Sequence, residues 1–172
     1  WTEQRPEDWW AAACTVLAEL ADETEAAISA IGLTGQMHGA VFLDAAGEVI
    51  RPAILWNDQR TSAACDQIEA AVGRTRLREI AGNPALTGFQ APKIIWLRDN
   101  EPQNYARLAH VLLPKDYIRY RLSNMLATDA SDAAGTLLLD LAKRDWSDEI
   151  LAALDIPRAW LPDVHEGPAI CA

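Results

Sequence analysis

Apolar side chains recur every three to four positions in several stretches of the chain, which is the period of a helix with one buried face. Proline in the first turn and glycine just beyond the last turn mark several ends of these stretches. The pattern predicts helices over residues 6–20, 61–72, 76–80, 91–98, 115–122 and 147–154.

Short apolar or alternating runs between these helices predict strands. They are expected at residues 28–33, 40–43, 49–56, 110–113 and 136–141. The turn at 44–47 separates two of these strands and predicts a β-hairpin, whereas residues 162–172 have the composition of a loop. The mixture of both element types predicts one α/β or α+β unit.

Charge and composition narrow the range of partners. The 172 residues have the length of about one domain, 50% of them are hydrophobic, and the formal net charge is −10. Because the chain is negatively charged, its net charge repels nucleic acid and anionic membrane surfaces. No apolar run has the length that a membrane span requires. We therefore expect neither nucleic acid nor membrane as a partner.

Cysteine use favours a reducing compartment. Cys14, Cys65 and Cys171 are few, far apart and odd in number, and no CxxC or Cys/His cluster accompanies them. This distribution argues against a structural zinc site and favours the cytoplasm, where a buried cysteine acts as a small apolar side chain.

The polar loop Gly-Gln-Met-His-Gly at residues 35–39 is the first candidate site. Its flanking glycines allow a tight turn and a close approach to a ligand. The neutral imidazole of His38 carries one donor and one acceptor, which suits a sugar hydroxyl. Residue types alone favour a structural or solvated histidine.

Trp56, Asn57 and Asp58 directly follow a predicted strand and form the second candidate. The indole of Trp56 could pack against the C–H face of a sugar while Asn57 and Asp58 bind its hydroxyls. The alternative is a core tryptophan followed by an Asx turn, which residue types alone favour. Because the preceding strand is apolar, we expect one face of the Trp56 ring to pack against the core.

A third polar segment holds Asp129 and Asp132, three positions apart. They could form a general acid/base pair or a helix cap, and the cap is favoured. The chain contains no GxxxxGK[ST] loop, no GxGxxG after a strand, no nucleophile elbow and no metal-ligand set, so no metal ligand is expected.

Five motifs in one order carry a family resemblance. They lie at 35–39, 53–60, 87–93, 111–117 and 129–136. In this order the chain resembles the xylulokinases of the FGGY family of carbohydrate kinases. The resemblance implies an α/β fold of the ribonuclease-H-like, actin-like ATPase type.

The resemblance also implies an activity and a sugar site. The parent enzyme is expected to transfer the γ-phosphoryl group of ATP to O5 of D-xylulose, with magnesium as cofactor. It is expected to act in pentose catabolism in the cytoplasm, and a homodimer is a possible oligomeric state. The family's sugar-contacting loop matches Met37 and His38, and its pocket tryptophan matches Trp56. Asn57 and Asp58 follow at the same rim.

Residues 1–172 are expected to be the central part of the N-terminal, sugar-binding domain. The phosphate-binding hairpin, the catalytic Asp (beyond Ala172) and the C-terminal ATP domain are expected outside this chain, so the chain alone should be inactive. Two alternatives remain open: a non-catalytic sugar-binding domain derived from the kinase fold, and an FGGY kinase for another ketose or polyol.

Overall fold

Helices and short strands alternate along residues 1–24 and 27–170, the part of the chain that the computed structural model describes. The helices are α1 (Pro6–Glu23), α2 (Ser62–Val72), α3 (Arg74–Ala81), α4 (Gln90–Asn100), α5 (Pro102–Tyr105), α6 (Pro114–Ser123), α7 (Ala130–Ala133) and α8 (Asp148–Leu154). The strands are β1 (Glu3–Gln4), β2 (Val41–Leu43), β3 (Ala53–Ile54), β4 (His110–Leu112), β5 (Ala127–Asp129), β6 (Leu139–Asp140), β7 (Asp145–Trp146) and β8 (Asp163–His165).

The strands pair two by two. β1 with β3, β2 with β4, and β6 with β7 are antiparallel, while β5 and β8 are parallel. Single bridges from Ala40 to Ile54 and from Leu43 to Val49 join β3 and the predicted hairpin to β2. As a result, the start of β2, the end of β3 and the end of β4 meet at one edge.

The β2–β4 ladder lies between two helical layers. Because side chains alternate along a strand, Phe42 and Val111 face the larger core with α2, α4 and α8. Val41 and Leu112 face the opposite side, a smaller core that includes side chains of α1 and α6. Burial on both faces makes this ladder a rigid base for the loops that leave its edge.

The structure confirms the predicted helices, whose ends follow local chemistry. Ser147 caps α8 by accepting a hydrogen bond from the Ile150 amide. Gly73 ends α2, and Gly82 ends α3 in the left-handed conformation. These signals lie within a few residues of the helix that they end.

Several strand predictions were wrong. Residues 28–33 form no strand, because no described segment pairs with them, and Ile28 and Ile31 are half exposed. Within 136–141 only Leu139–Asp140 is a strand, since Thr136 lies in a 3₁₀ turn. In the predicted loop at 162–172, Asp163–His165 forms β8, because its backbone pairs with β5; residues 171–172, including Cys171, lie outside the described residues.

Candidate functional site

The 35–39 loop is packed tightly against the beginning of α6. A Cβ at position 35 would lie 3.0 Å from the Cβ of Lys115, and a Cβ at position 39 would lie 2.6 Å from the Cγ of Pro114. Any side chain at position 39 would therefore collide with the Pro114 ring. The two flanking glycines bring the loop close to the ladder edge.

His38 is held in one orientation. Its φ of 69° is left-handed, a conformation that non-glycine residues rarely adopt. The imidazole Nδ1 lies 2.6 Å from the carbonyl oxygen of Gly135. Since a carbonyl only accepts, Nδ1 carries the proton and donates it, and Nε2 is the acceptor nitrogen. The ring also packs edge-on against Phe89 with 5.0 Å between centroids.

The side chains of Met37 and His38 pack against Gly135. A Cβ at position 135 would lie 2.6 Å from His38 Cε1 and 3.5 Å from Met37 Cε. Met37 is 41% exposed, so part of this residue is available to a ligand. The 129–136 segment therefore packs against the 35–39 loop.

Trp56 and Asn57 are exposed at the end of β3, whereas Asp58 is buried. Trp56 is 55% exposed and belongs to neither cluster of buried core residues. The expected packing of one ring face against the core stays a prediction. The carbonyl oxygen of Trp56 lies 3.0 Å from a Cβ built at Gly88, and Thr87 Oγ1 donates to Gln59 Oε1 at 2.7 Å. The 56–60 loop thus lies against the segment that begins α4.

The Asp58 carboxylate points into the protein and pairs with Arg60. Oδ1 accepts from Arg60 Nε at 2.9 Å, and Oδ2 accepts from Arg60 Nη2 at 2.8 Å and from the Thr2 amide. Burial alone would raise the pKa of Asp58, but these hydrogen bonds outweigh it and hold the pKa well below its ordinary value. Asp58 therefore anchors the loop that presents Trp56 and Asn57.

Two buried polar side chains of α4 complete the site, and the sequence analysis did not single them out. Lys93 donates to the carbonyl oxygens of His38 at 3.0 Å, of Phe89 at 2.9 Å and of Gly88. Gln90 donates to the carbonyls at positions 39 and 112, both at 3.1 Å. Their signal was polar character beside apolar residues at the end of the 87–93 motif, where α4 begins.

Asp129 and Asp132 form a cap, as predicted. The Asp129 carboxylate accepts from the Asp132 amide at 3.0 Å. Lys115 Nζ lies 2.7 Å from Asp116, 2.8 Å from Asp129 and 3.2 Å from Asp132. Burial would raise the pKa of Asp129, but Lys115 and the amide outweigh it and lower that pKa. A carboxylate stabilised in this way is a poor general base.

The donor set of the described residues does not suit a divalent metal. The carboxylates of Asp116, Asp129 and Asp132 already bind one ammonium, and no group of three His, Cys, Asp or Glu within 1–24 and 27–170 could hold a metal ion. In the same ranges no helix is both long and apolar enough to cross a membrane.

Comparison with known proteins gives consistent matches along the chain. The model of the FGGY family of carbohydrate kinases, N-terminal domain, matches residues 1–172. A xylulose kinase of Escherichia coli strain K12 is 47% identical over 171 residues, which are 99% of this chain and 35% of that protein.

Two solved structures share the fold. One is a xyloylose kinase from Brucella ovis, with a TM-score of 0.89 and 42% identity over 96% of this chain and 35% of that one. The other is a xylulose kinase from Rhodospirillum rubrum, with a TM-score of 0.90 and 29% identity over 96% and 34%. The chain thus spans about a third of the length of these relatives.

Proposed function

The chain belongs to the FGGY family of carbohydrate kinases, as an N-terminal domain with the actin-like α/β fold predicted for it, and from this premise we propose an activity. The complete protein transfers the γ-phosphoryl group of ATP to O5 of D-xylulose and forms D-xylulose 5-phosphate. This chain supplies part of the sugar site. The relative from Escherichia coli, named a xylulose kinase, supports this choice of substrate.

The orientation of His38 is the observation that carries the proposal. With the proton on Nδ1 committed to Gly135, Nε2 can accept a hydrogen bond from a sugar hydroxyl. A site built to pair with one hydroxyl discriminates against ligands that lack it. A merely solvated histidine would not have its ring held by both Gly135 and Phe89.

We assign the predicted site residues two kinds of role. Met37, His38, Trp56 and Asn57 contact the sugar, since the first and third offer exposed apolar surface and the others offer hydrogen-bonding groups. Asp58, whose oxygens are paired inside the protein, holds the 56–60 loop in place. Its contribution to sugar binding is indirect.

We further propose that the remaining chemistry comes from parts of the complete protein outside residues 1–172. These parts supply the phosphate-binding hairpin, the catalytic Asp, and the sites for ATP and magnesium. Phosphoryl transfer requires the base, the metal and the aligned substrates together, so this chain by itself transfers no phosphate. The sparse cysteines, with Cys65 buried and unpaired, support a cytoplasmic location.

A substrate panel tests the activity. The complete protein is assayed with ATP and magnesium against D-xylulose, other ketoses and polyols including glycerol, and the product is located by NMR. We expect D-xylulose to give the highest kcat/KM, with phosphate on O5. A preference for glycerol or another ketose would favour the other-substrate kinase, and sugar binding without turnover would favour a non-catalytic domain.

A further inference from the structure

Lys93 is a charged side chain buried completely in the core of the site. It is 0% exposed, and its ammonium donates to carbonyl oxygens of two separate segments. One carbonyl belongs to His38 in the 35–39 loop, and the others belong to Gly88 and Phe89 just before α4. The three N–H donors of an ammonium are thus matched by three acceptors.

The backbone of His38 needs such support. A left-handed conformation at a non-glycine residue persists only where the surroundings hold it. Gly135 holds the ring and Lys93 holds the carbonyl, so the residue is fixed from both sides. The carbonyl of Gly88 extends the same link toward the Trp56 backbone, which lies against position 88.

We propose that Lys93 is a positioning residue for the sugar site. Its ammonium joins the loop of Met37 and His38 to the segment beside Trp56, and so sets the place at which both meet the ketose. This inference rests on the proposed function for its kinetic readout. Lys93 itself does not touch the sugar; it acts through the backbone of His38.

The charge of Lys93 is sensitive to pH in the neutral range. Burial lowers the pKa of its ammonium to about 7, with Arg60 acting in the same direction and Asp58 and Cys65 acting against it. Loss of the proton leaves two N–H donors and a lone pair that faces a carbonyl. The link to His38 therefore weakens as pH rises through this range.

The test compares Lys93→Met with Leu97→Ala in the complete protein. Methionine keeps an unbranched side chain of similar length but removes the ammonium. Leu97 is equally buried, one turn further along α4, and contacts the core only. We expect Lys93→Met to raise the KM for D-xylulose about tenfold or more, with the KM for ATP within about twofold. Leu97→Ala should lower stability and leave both KM values near those of the wild type.

A double variant separates positioning from general packing. If Lys93 acts in part by placing the His38 ring, Lys93→Met should raise the ketose KM less in a His38→Ala background than in the wild type. The rise of ketose KM above about pH 7 should be present in the wild type and Leu97→Ala and absent from Lys93→Met. Additive effects, or a Lys93→Met KM within twofold of the wild type, would overturn the proposal.

Hydrogen exchange keeps the inference testable without activity. Lys93→Met should speed exchange in the peptide covering 38–43, in which the Ala40 amide donates to the Ile54 carbonyl, about tenfold or more relative to the turn at 142–144. Leu97→Ala should not. If the wild type fails to phosphorylate D-xylulose, the proposed function fails and exchange alone decides on Lys93. If Lys93→Met does not fold, Lys93→Gln takes its place in both measurements. Unchanged exchange at 38–43 would contradict the link.

Discussion

Replacing Asp58 by asparagine should destabilise the 56–60 loop strongly, because it removes the negative charge and one of the two oxygens that pair with a buried guanidinium. The side chains of Asp58 and Arg60 are 0% and 1% exposed, and two parallel hydrogen bonds of 2.9 and 2.8 Å join them. Breaking a buried pair from one side typically costs about 3–5 kcal/mol. Arg60 keeps a second bond, to Glu3, so we expect the lower end of that range, about 3 kcal/mol.

Native-state hydrogen exchange measures this loss locally. In the complete protein, Asp58→Asn should speed exchange of the amides in residues 55–62 roughly a hundredfold. The matched control is Glu166→Gln, which breaks the equally bidentate but exposed pair with Arg144 and should change its own surroundings little. Similar small changes in both variants would refute the assignment of Asp58 as the anchor of the loop.

The pH dependence has a defined sign. The pKa of Asp58 lies below its ordinary value of 3.8 in the folded protein, so its ionised form stabilises the fold. That contribution is present above about pH 4 and is lost as pH falls through the lowered pKa. Protection of residues 55–62 should therefore decline with acid in the wild type and be much flatter in Asp58→Asn.

Three further substitutions test the proposed sugar site, in the complete protein. His38→Ala should lower kcat/KM for D-xylulose about ten- to a hundredfold, because one lost hydrogen-bond partner costs about 1–3 kcal/mol. The KM for ATP should stay within about twofold. If kcat/KM for D-xylulose changes less than about twofold, His38 is a turn residue only. Trp56→Ala should raise the ketose KM yet shift the melting temperature little, since the ring is 55% exposed, and a large loss of stability would restore the core role. Gly135→Ala should lower kcat/KM as His38→Ala does, because its Cβ would lie 2.6 Å from the imidazole. The control Gly167→Ala, whose Cβ would have nothing within 4 Å, should leave the kinetics unchanged. Equal effects of the two variants would contradict the contact between Gly135 and His38.

The helices could be predicted because their signals are local. Ser147, Gly73 and Gly82 each stand next to the helix end that they define. Strands depend on partners far away in the sequence. No alternation of apolar and polar side chains indicates that Asp163–His165 pairs with Ala127–Asp129. Conversely, residues 28–33 show such alternation but form no strand.

The site was predictable in its exposed parts and not in its buried ones. Met37, His38 and Trp56 were singled out by the family resemblance of the five ordered motifs, since residue types alone favoured structural roles, and their sugar contacts stay predictions. Lys93 escaped notice because a lysine in a helix is ordinarily solvated, and its burial depends on carbonyl groups that only the folded chain brings to it. The inward turn of Asp58 likewise follows from Arg60, two residues later, whose guanidinium is buried with it.

The most direct test of the account is the ratio of kcat/KM for D-xylulose to kcat/KM for glycerol, measured for the complete protein and for its His38→Ala variant. The account predicts a ratio well above one in the wild type and a fall of about tenfold or more in the variant, because the ketose loses the hydrogen bond that Nε2 accepts. A wild-type ratio of one or less, or a ratio that His38→Ala leaves unchanged, would contradict it.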